Sequence, residues 1–390
     1  MKKSKILVVA HSGKVSGANK SLLSVLDGLK DKYSFSVVIN EANSELSFRL
    51  AEMGIHSIDL DYSWWYTTPK AGFLKNCAYY LFSLSKYWFF RARYRINSNQ
   101  FADKGFSLVY TNTSTVDFGS YVSRFLGIPH VWHVREFGEE DFSFRSLVSL
   151  SYRKSSFLSA SRIIAVSKAL ASYIEGRYCV TVSPVYNGFN LDMFSPIEPR
   201  PRSGNLKVLI CGQVIDAKGQ RIAIESIRHL INSGRTDVEL FIAGEVNRDY
   251  ISVEEQRSIE HKLPVHFLGF VNDVRHLRSQ MHVELCCSKS EAFGRSTLEG
   301  MLSSLAVVAS NSGSNPELVN DGENGLLFNT GSALDLSSCL VRLADDDEFR
   351  ILLANNAGKF ARSFSIEKTV SQVDSLFESA IIDSGSTNEK

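Results

Sequence analysis

Glu291 and Glu299 lie eight positions apart in the string SEAFGRSTLEGM (290–301), with Phe293, Gly294, Arg295 and Ser296 between them. A short apolar run, VELCCS (283–288), leads into the string. A strand that turns at a glycine into a helix leaves unpaired N–H groups and the positive dipole end at the turn, and such a place binds phosphate. Carboxylates before and after the turn can accept hydrogen bonds from sugar hydroxyls. Together these groups would suit a ribose, a diphosphate and a hexose. A structural reading competes. Ser296-Thr297-Leu298-Glu299 has the form of a capping box, which would tie Glu299 to the backbone of a helix starting near Ser296. It leaves Glu291 and Gly294 unexplained.

Other stretches carry chemistry at lower specificity. Lys218 in ICGQVIDAKGQ (210–220) opens a helical pattern, where a cation opposes the helix dipole unless an anion is bound. Gly13 and Gly17, in SGKVSGANKSLL (12–23), follow a strand-like run, yet the string is neither GxGxxG nor a Walker A loop. His133, Arg135 and Glu136 end another strand-like run in VWHVRE; either a buried histidine or a cleft-facing one fits. Pro316 and Glu317 read as the first turn of a helix, and the loop around Gly313 before them could face an anion. Two DxD strings, Asp59–Asp61 and Asp345–Asp347, could hold a divalent cation but fit loops and helix starts better. No His/Cys ligand cluster is present in the sequence, so no metal or other cofactor is expected.

These residues need elements to hold them. Strand-like runs at 5–10, 35–40, 107–112, 130–134 and 162–167 alternate with amphipathic segments such as Ala18–Leu29 and Thr115–Leu126. The pattern restarts at 206–212, 238–244, 265–270, 283–288 and 306–310. Alternation of this kind predicts parallel sheets covered by helices, here two doubly wound α/β domains. SPIEPRPRSGN (195–205) reads as part of the linker between them. Ligands of such sheets sit at the carboxyl ends of the strands, so the default site is a central cleft faced by both domains.

With 390 residues the chain is long enough for two cores, and its net charge of +1 gives no electrostatic footprint for nucleic acid. Six scattered cysteines form no CxxC pair and read as reduced core residues of a cytosolic protein. The N-terminal apolar run Ile6–Ala10 is shorter than the about 7–15 residues of a secretory core, and reads as a first strand. No run reaches the ~18 apolar residues of a membrane span. Between Tyr62 and Ala102 there is no acid, while Lys70, Lys75, Lys86, Arg91, Arg93 and Arg95 stand among many aromatics. Helical spacing predicts that Leu74, Ala78, Leu81, Ser85 and Trp88 face the core, with Lys75, Tyr79, Lys86 and Arg93 on another side. A basic, aromatic-edged helix over 70–95 suits an anionic membrane surface; an ordinary packed helix with a solvated face fits as well.

The string EAFGRSTLE resembles the E-x7-E motif of retaining glycosyltransferases of the GT-B fold, in the large family 4 group. YNGFNLDMFSP (186–196) is similar to that family's domain junction, ICGQVIDAKGQ to its strand–loop–helix ending in Lys-Gly, and SNSGSNPELVNDGENGLLF (310–328) to its G-G-x-P-E segment. SGKVSGANKSLL and WHVRE fall where the family has its first glycine-rich loop and an active-site histidine. The resemblance covers nearly the whole chain. It implies two Rossmann-like domains: 1–186 for the acceptor, a linker at 187–205, and 206–364 for the donor. It further implies a C-terminal helix, 365–383, that could cross back to the first domain; the polar composition of the last residues, 384–390, predicts a disordered tail.

By the same resemblance, Glu299 would bind the nucleotide ribose, Glu291 the donor sugar beside the Phe293 and Gly294 amides, and Lys218 the diphosphate. His133 would stand near the donor sugar, and Gly17, Gln213, Arg295 and Ser296 would complete the donor side. Gly13, Arg135 and Glu136 are acceptor-side candidates. The family usually carries arginine where this chain has Gln213, and Arg295 or Lys218 is expected to supply the missing charge. The implied substrates are a UDP- or GDP-linked hexose and a saccharide or lipid-linked saccharide, in cell-surface polysaccharide synthesis at the cytoplasmic face of the membrane. Two alternatives remain at this level: a nucleotide-sugar epimerase of the same architecture, and a weakly active nucleotide-binding subunit of a glycosylation complex.

Overall fold

The computed structural model describes residues 3–69, 72–194, 199 and 201–387. Parts of the expected linker, Lys70 and the last three residues lie outside the described residues. The chain forms two compact units: residues up to Phe189 together with those from Phe364 onward, and Asn190–Ser363.

The first unit is built on strands β1 (Ser4–Val9), β2 (Tyr33–Ile39), β3 (His56–Asp59), β5 (Phe106–Thr111), β6 (His130–Val134), β8 (Arg162–Ala165) and β9 (Ser183–Pro184), with β4 (Tyr66–Thr67) and β7 (Arg145–Ser146) pairing apart as a small antiparallel ribbon. The sheet order is β3-β2-β1-β5-β6-β8-β9, and the pairs are parallel. The β1–β2 register runs from Ser4 opposite Tyr33 to Val9 opposite Val38. Strand periodicity divides β1 between two cores: Ile6 and Val8 pack with Leu22, Leu26 and Tyr110, while Leu7 and Val9 pack with Val109, Phe118 and Val122. A strand buried on both faces has to be apolar throughout, which is why these runs were legible in the sequence.

The second unit repeats the plan with β10 (Leu206–Cys211), β11 (Val238–Ala243), β12 (Val265–Gly269), β13 (Val283–Cys286), β14 (Ala306–Ser310) and β15 (Leu326–Phe328), in the order β12-β11-β10-β13-β14-β15, again parallel. In each sheet the strand order reverses once, between β1 and β5 and between β10 and β13. The crevice outside the carboxyl ends at such a reversal is where doubly wound sheets hold ligands. The α/β class, with two doubly wound parallel sheets, is the one expected from the sequence.

The structure departs from the sequence reading in several places. The strands that were not read, β3, β4, β7, β9 and β15, have only two to four residues; β3, β9 and β15 lie at sheet edges and β4 and β7 form the separate ribbon. Cys77 and Cys179 are exposed, not core residues. The final helix spans Ile366–Thr387, so residues 384–387 continue it where a disordered tail was expected. It belongs to the first unit: Val373, Phe377 and Ala380 are buried there, and the Phe377 ring lies 5.0 Å from that of Tyr110.

The largest departure concerns helix Phe73–Asn99. Its buried residues are Tyr87, Tyr94 and Ser98, whereas Leu74, Leu81 and Trp88 are 81, 63 and 56% exposed. Ala78 and Ser85 are exposed as well. The helical pitch was right but the inward face was not. A buried carboxylate chooses it: Asp117 accepts hydrogen bonds from the hydroxyls of Tyr87 (2.8 Å), Tyr94 (2.9 Å) and Tyr152 (2.9 Å), with Arg91 3.6 Å away. Tyrosines whose hydroxyls find this partner can be buried.

Candidate functional site

In the second unit, loops from the ends of β10, β13 and β14 meet around Glu291. Lys218 closes a single 3₁₀ turn, Asp216–Lys218, just before helix Gln220–Asn232. Gly219 between them has φ +69°, and a Cβ there would fall 2.0 Å from the Cys287 carbonyl oxygen. Only glycine lets this turn lie against the end of β13, and that contact brings Lys218 beside the 287–291 backbone. The Lys289 N–H donates to the Ala217 carbonyl at 3.1 Å and ties the two loops together. From β14, the Ser314 N–H donates to the Glu291 carbonyl at 2.8 Å, and a Cβ on Gly313 would lie 2.3 Å from the same oxygen. The Gly313 loop thus supports Glu291 from behind.

The Glu291 side chain is 12% exposed. Its Oε2 receives the Lys218 ammonium at 2.8 Å and the Ser288 hydroxyl at 2.8 Å; its Oε1 receives the Gly294 N–H at 3.3 Å. Burial would raise this carboxyl's pKa, but the Lys218 charge and these hydrogen bonds outweigh it and hold Glu291 below the usual range. An ion pair therefore sits at the mouth of a helix N-terminus.

Helix Arg295–Leu302 begins after Gly294, whose φ is +85° and which caps it without a side-chain bond. Ser296 therefore lies inside the first turn, half-buried, and the capping-box reading of Glu299 fails. Glu299 points instead to Arg278: its Oε2 accepts from Arg278 Nη1 at 2.8 Å, and its Oε1 lies 2.9 Å from Arg295 Nε. Arg278 is buried and also grips Glu284 through Nε and Nη2, both at 3.0 Å. Burial pushes the Glu284 carboxyl up while Arg278 pulls against it. Arg278 and Glu284 were not singled out in the sequence, since HLRSQMH gives no cue. Ser288 ends a strand-like run, and that position was its one available signal.

The remaining donor-side candidates are placed as follows. Gln213 is exposed, and its carbonyl accepts from Gln220 Nε2 at 3.0 Å. Phe293 is buried. Lys218 and Arg295, expected to replace the charge absent at Gln213, are each bonded to a carboxylate, Glu291 and Glu299. The acids of the second DxD string serve structure: Asp345 pairs with Arg235 and Asp347 with Arg350.

The first unit gathers its own polar cluster at the carboxyl ends of β5 and β6. Arg135 is buried; it donates through Nε to Asn112 Oδ1 (2.5 Å) and through Nη1 to Asn187 Oδ1 (2.6 Å), and its Nη2 lies 3.3 Å from His133 Nδ1. The His133 ring is fully buried, 2.7 Å from the Tyr110 hydroxyl, and its Nε2 has no partner among the described residues. Burial, with the Arg135 charge adding, drives its pKa well below that of free histidine. Of the two readings of the sequence, a buried histidine or a cleft-facing one, the ring takes the first: it lies inside the unit, neutral. Glu136 accepts from the Thr113 hydroxyl (2.7 Å), the Ser114 N–H (2.6 Å) and the Ser114 hydroxyl (2.8 Å).

His11, at the end of β1, joins this cluster. Burial lowers its pKa, Glu136 opposing and Arg135 reinforcing. His11, Asn112 and Asn187 were not singled out in the sequence, although Asn187 stands in the quoted YNGF string. Gly13 is buried, and a Cβ on it would lie 2.3 Å from that of Ser44, so packing alone accounts for it. Gly17 is exposed as the first residue of helix Gly17–Leu29.

Comparison with known proteins bears on both units. Residues 205–346 match the family model described as glycosyl transferases group 1. An uncharacterised glycosyltransferase of Methanocaldococcus jannaschii is 24% identical over 291 residues, covering 73% of this chain and 79% of that protein. The lipopolysaccharide core biosynthesis mannosyltransferase LpcC of Rhizobium leguminosarum bv. viciae is 24% identical over 237 residues, which is 57% of this chain and 66% of LpcC. Among solved structures, Anabaena Alr3699/HepE, crystallised with UDP, superposes with a TM-score of 0.75 at 22% identity, over 96% of this chain and all of that one. The superposition carries the fold, and the family match covers the unit that holds Lys218, Glu291 and Glu299. Together the comparisons support a transferase enzyme of the group 1 glycosyltransferase kind, with the GT-B fold over the whole chain and the family match over residues 205–346.

Proposed function

We propose that the protein transfers a hexosyl unit from a UDP- or GDP-sugar to a hydroxyl of a saccharide or lipid-linked saccharide, with retention of anomeric configuration and without a metal. The observation that carries this reading is the Lys218–Glu291 pair, 2.8 Å apart, set against the Gly294 N–H at the carboxyl ends of β10 and β13. A donor diphosphate entering there would compete for the Lys218 ammonium and release Glu291 to accept from sugar hydroxyls. Glu299, braced by Arg278, would accept from the ribose, with Gln213, Phe293, Arg295 and Ser296 around the nucleotide. As the anomeric C–O bond breaks, negative charge grows on the diphosphate. Lys218 and the helix N-terminus oppose it in place, without reorganisation. The acceptor hydroxyl then attacks from the face the diphosphate leaves. The relatives support this reading: Anabaena HepE was crystallised with UDP and with UDP-glucose, and LpcC is named a mannosyltransferase of lipopolysaccharide core.

We place the acceptor on the first unit, where Arg135 and Glu136 follow the carboxyl end of β6. Work on lipid-linked acceptors at the inner face of the cytoplasmic membrane, in cell-surface polysaccharide synthesis, fits a peripheral enzyme. Among the described residues no helix is long and apolar enough to cross a membrane. The test is a panel of UDP-, GDP- and ADP-sugars. One class should raise the thermal transition and, with a lipid-linked saccharide, give a product whose new linkage keeps the donor's anomeric configuration by NMR. An inverted linkage, or donor epimerised without acceptor, overturns the proposal.

A further inference from the structure

The structure leaves one large surface without a task. Helix Phe73–Asn99 lies on the first unit through Tyr87, Arg91, Tyr94 and Ser98, which the Asp117 cluster turns inward. At 3.6 residues per turn, the opposite side carries Leu74, Leu81, Phe82, Trp88, Phe89 and Ile96. Each is between 56 and 81% exposed. Single exposed apolar side chains are ordinary, but six along one helix make a strip about 33 Å long at the helical rise of 1.5 Å per residue.

Charge borders this strip. Lys75, Lys86 and Arg93 share one edge of it, Arg95 stands on the other, and all four are exposed. Lys86 Nζ lies 5.9 Å from the Phe90 ring centre, and the Arg93 guanidinium 5.7 Å from that of Phe89, so the cations flank aromatic surface. No aspartate or glutamate occurs from Tyr62 to Ala102. An apolar stripe with cations at its margins and no acid matches a bilayer interface, where acyl chains take the stripe and anionic headgroups the margins.

We infer that this helix docks flat on an anionic lipid surface, inserting Leu74, Leu81, Phe82, Trp88, Phe89 and Ile96 and holding Lys75, Lys86, Arg93 and Arg95 at the headgroups. The inference rests on the reading of the chain as a transferase for lipid-linked acceptors, and it replaces the sequence expectation that Leu74, Leu81 and Trp88 face the core. Trp88, as the exposed tryptophan on the strip, reports insertion directly.

The experiment uses the full chain with vesicles of phosphatidylcholine alone and of phosphatidylcholine mixed with phosphatidylglycerol. Flotation should occur with the mixed vesicles and weaken at high salt. Brominated acyl chains should quench tryptophan emission, and Trp88→Phe should abolish that quenching. Leu81→Glu with Phe89→Glu should lower the bound fraction at least tenfold, as should Lys75→Glu with Lys86→Glu. Because these side chains are exposed, both variants should keep the wild-type circular dichroism spectrum. Flotation unchanged in both variants, or quenching that survives Trp88→Phe, overturns the docking face. So does a wild-type dimer that Leu81→Glu with Phe89→Glu turns into a monomer while no protein floats, since the strip is then a contact between copies. UDP or GDP binding, measured on the same samples, separates the two readings: nucleotide binding without flotation removes the docking face and leaves the transferase, and flotation without nucleotide binding does the reverse.

Discussion

Glu291 and Glu299 are chemically identical side chains in different surroundings. The first faces an ammonium, a hydroxyl and one backbone N–H; the second faces two guanidinium groups, one of them buried and shared with Glu284. A carboxylate whose counter-ion is a flexible lysine can exchange that partner for a ligand. One gripped by a buried arginine keeps its direction and can only present its remaining lone pairs. The expected result follows from this difference. Glu299→Ala should weaken UDP or GDP binding about tenfold, or ~1.4 kcal/mol. Glu291→Ala should change nucleotide affinity little and lower the preference between donor sugars. Calorimetry with the nucleotides and with two donor sugars measures both, and equal losses of nucleotide affinity would remove the division of roles.

At the scale of elements, the Asp117 cluster fixes which face of the 73–99 helix turns inward. Three tyrosine hydroxyls converge on one carboxylate that is itself 1% exposed. Burial and the neighbouring negative charge push the Tyr94 hydroxyl's pKa well up, so it stays a donor across the accessible range. Asp117→Ala removes the shared acceptor and leaves these hydroxyls without it. We expect a loss of about 3–5 kcal/mol, the usual effect of breaking a buried charged partner. Denaturant unfolding measures it, and hydrogen exchange should show the 73–99 amides opening first. A change within ~0.5 kcal/mol, the range of surface substitutions, would mean the helix is held by other contacts.

At the scale of the whole molecule, the protein's four tryptophans, Trp64, Trp65, Trp88 and Trp132, all lie in the first unit, so their fluorescence follows that unit's unfolding. The same unit buries two neutral histidines. Burial, with Arg124 adding, lowers His130 to about 3, and burial, with Arg135 adding, takes His133 well below 6.5. Both folded values lie below the unfolded one, so the unfolded chain binds more protons under pH ~6.5. Stability should be full above that pH and fall as the pH drops toward the folded values, by up to about 1.4 kcal/mol per pH unit for each histidine. Urea unfolding followed by tryptophan fluorescence between pH 7 and pH 5 tests this, where those bounds are about the range in which histidine titrates and carboxylates do not. His130→Gln and His133→Gln should each flatten the curve, and a flat wild-type profile would contradict the assignment. By itself the sequence determined the two sheets, because strands buried on both faces must be apolar along their length. It also determined the loops at their carboxyl ends, because glycines and the spacing of Lys218, Glu291 and Glu299 are local features. Short edge strands such as Ser183–Pro184 carry too few residues to show a period. Tertiary structure alone decided which cation each glutamate meets, that the His133 ring turns inward, and which face of the 73–99 helix meets water. Periodicity gives the pitch of a helix but not its rotation, and the partners that set rotation and pairing come from distant parts of the chain.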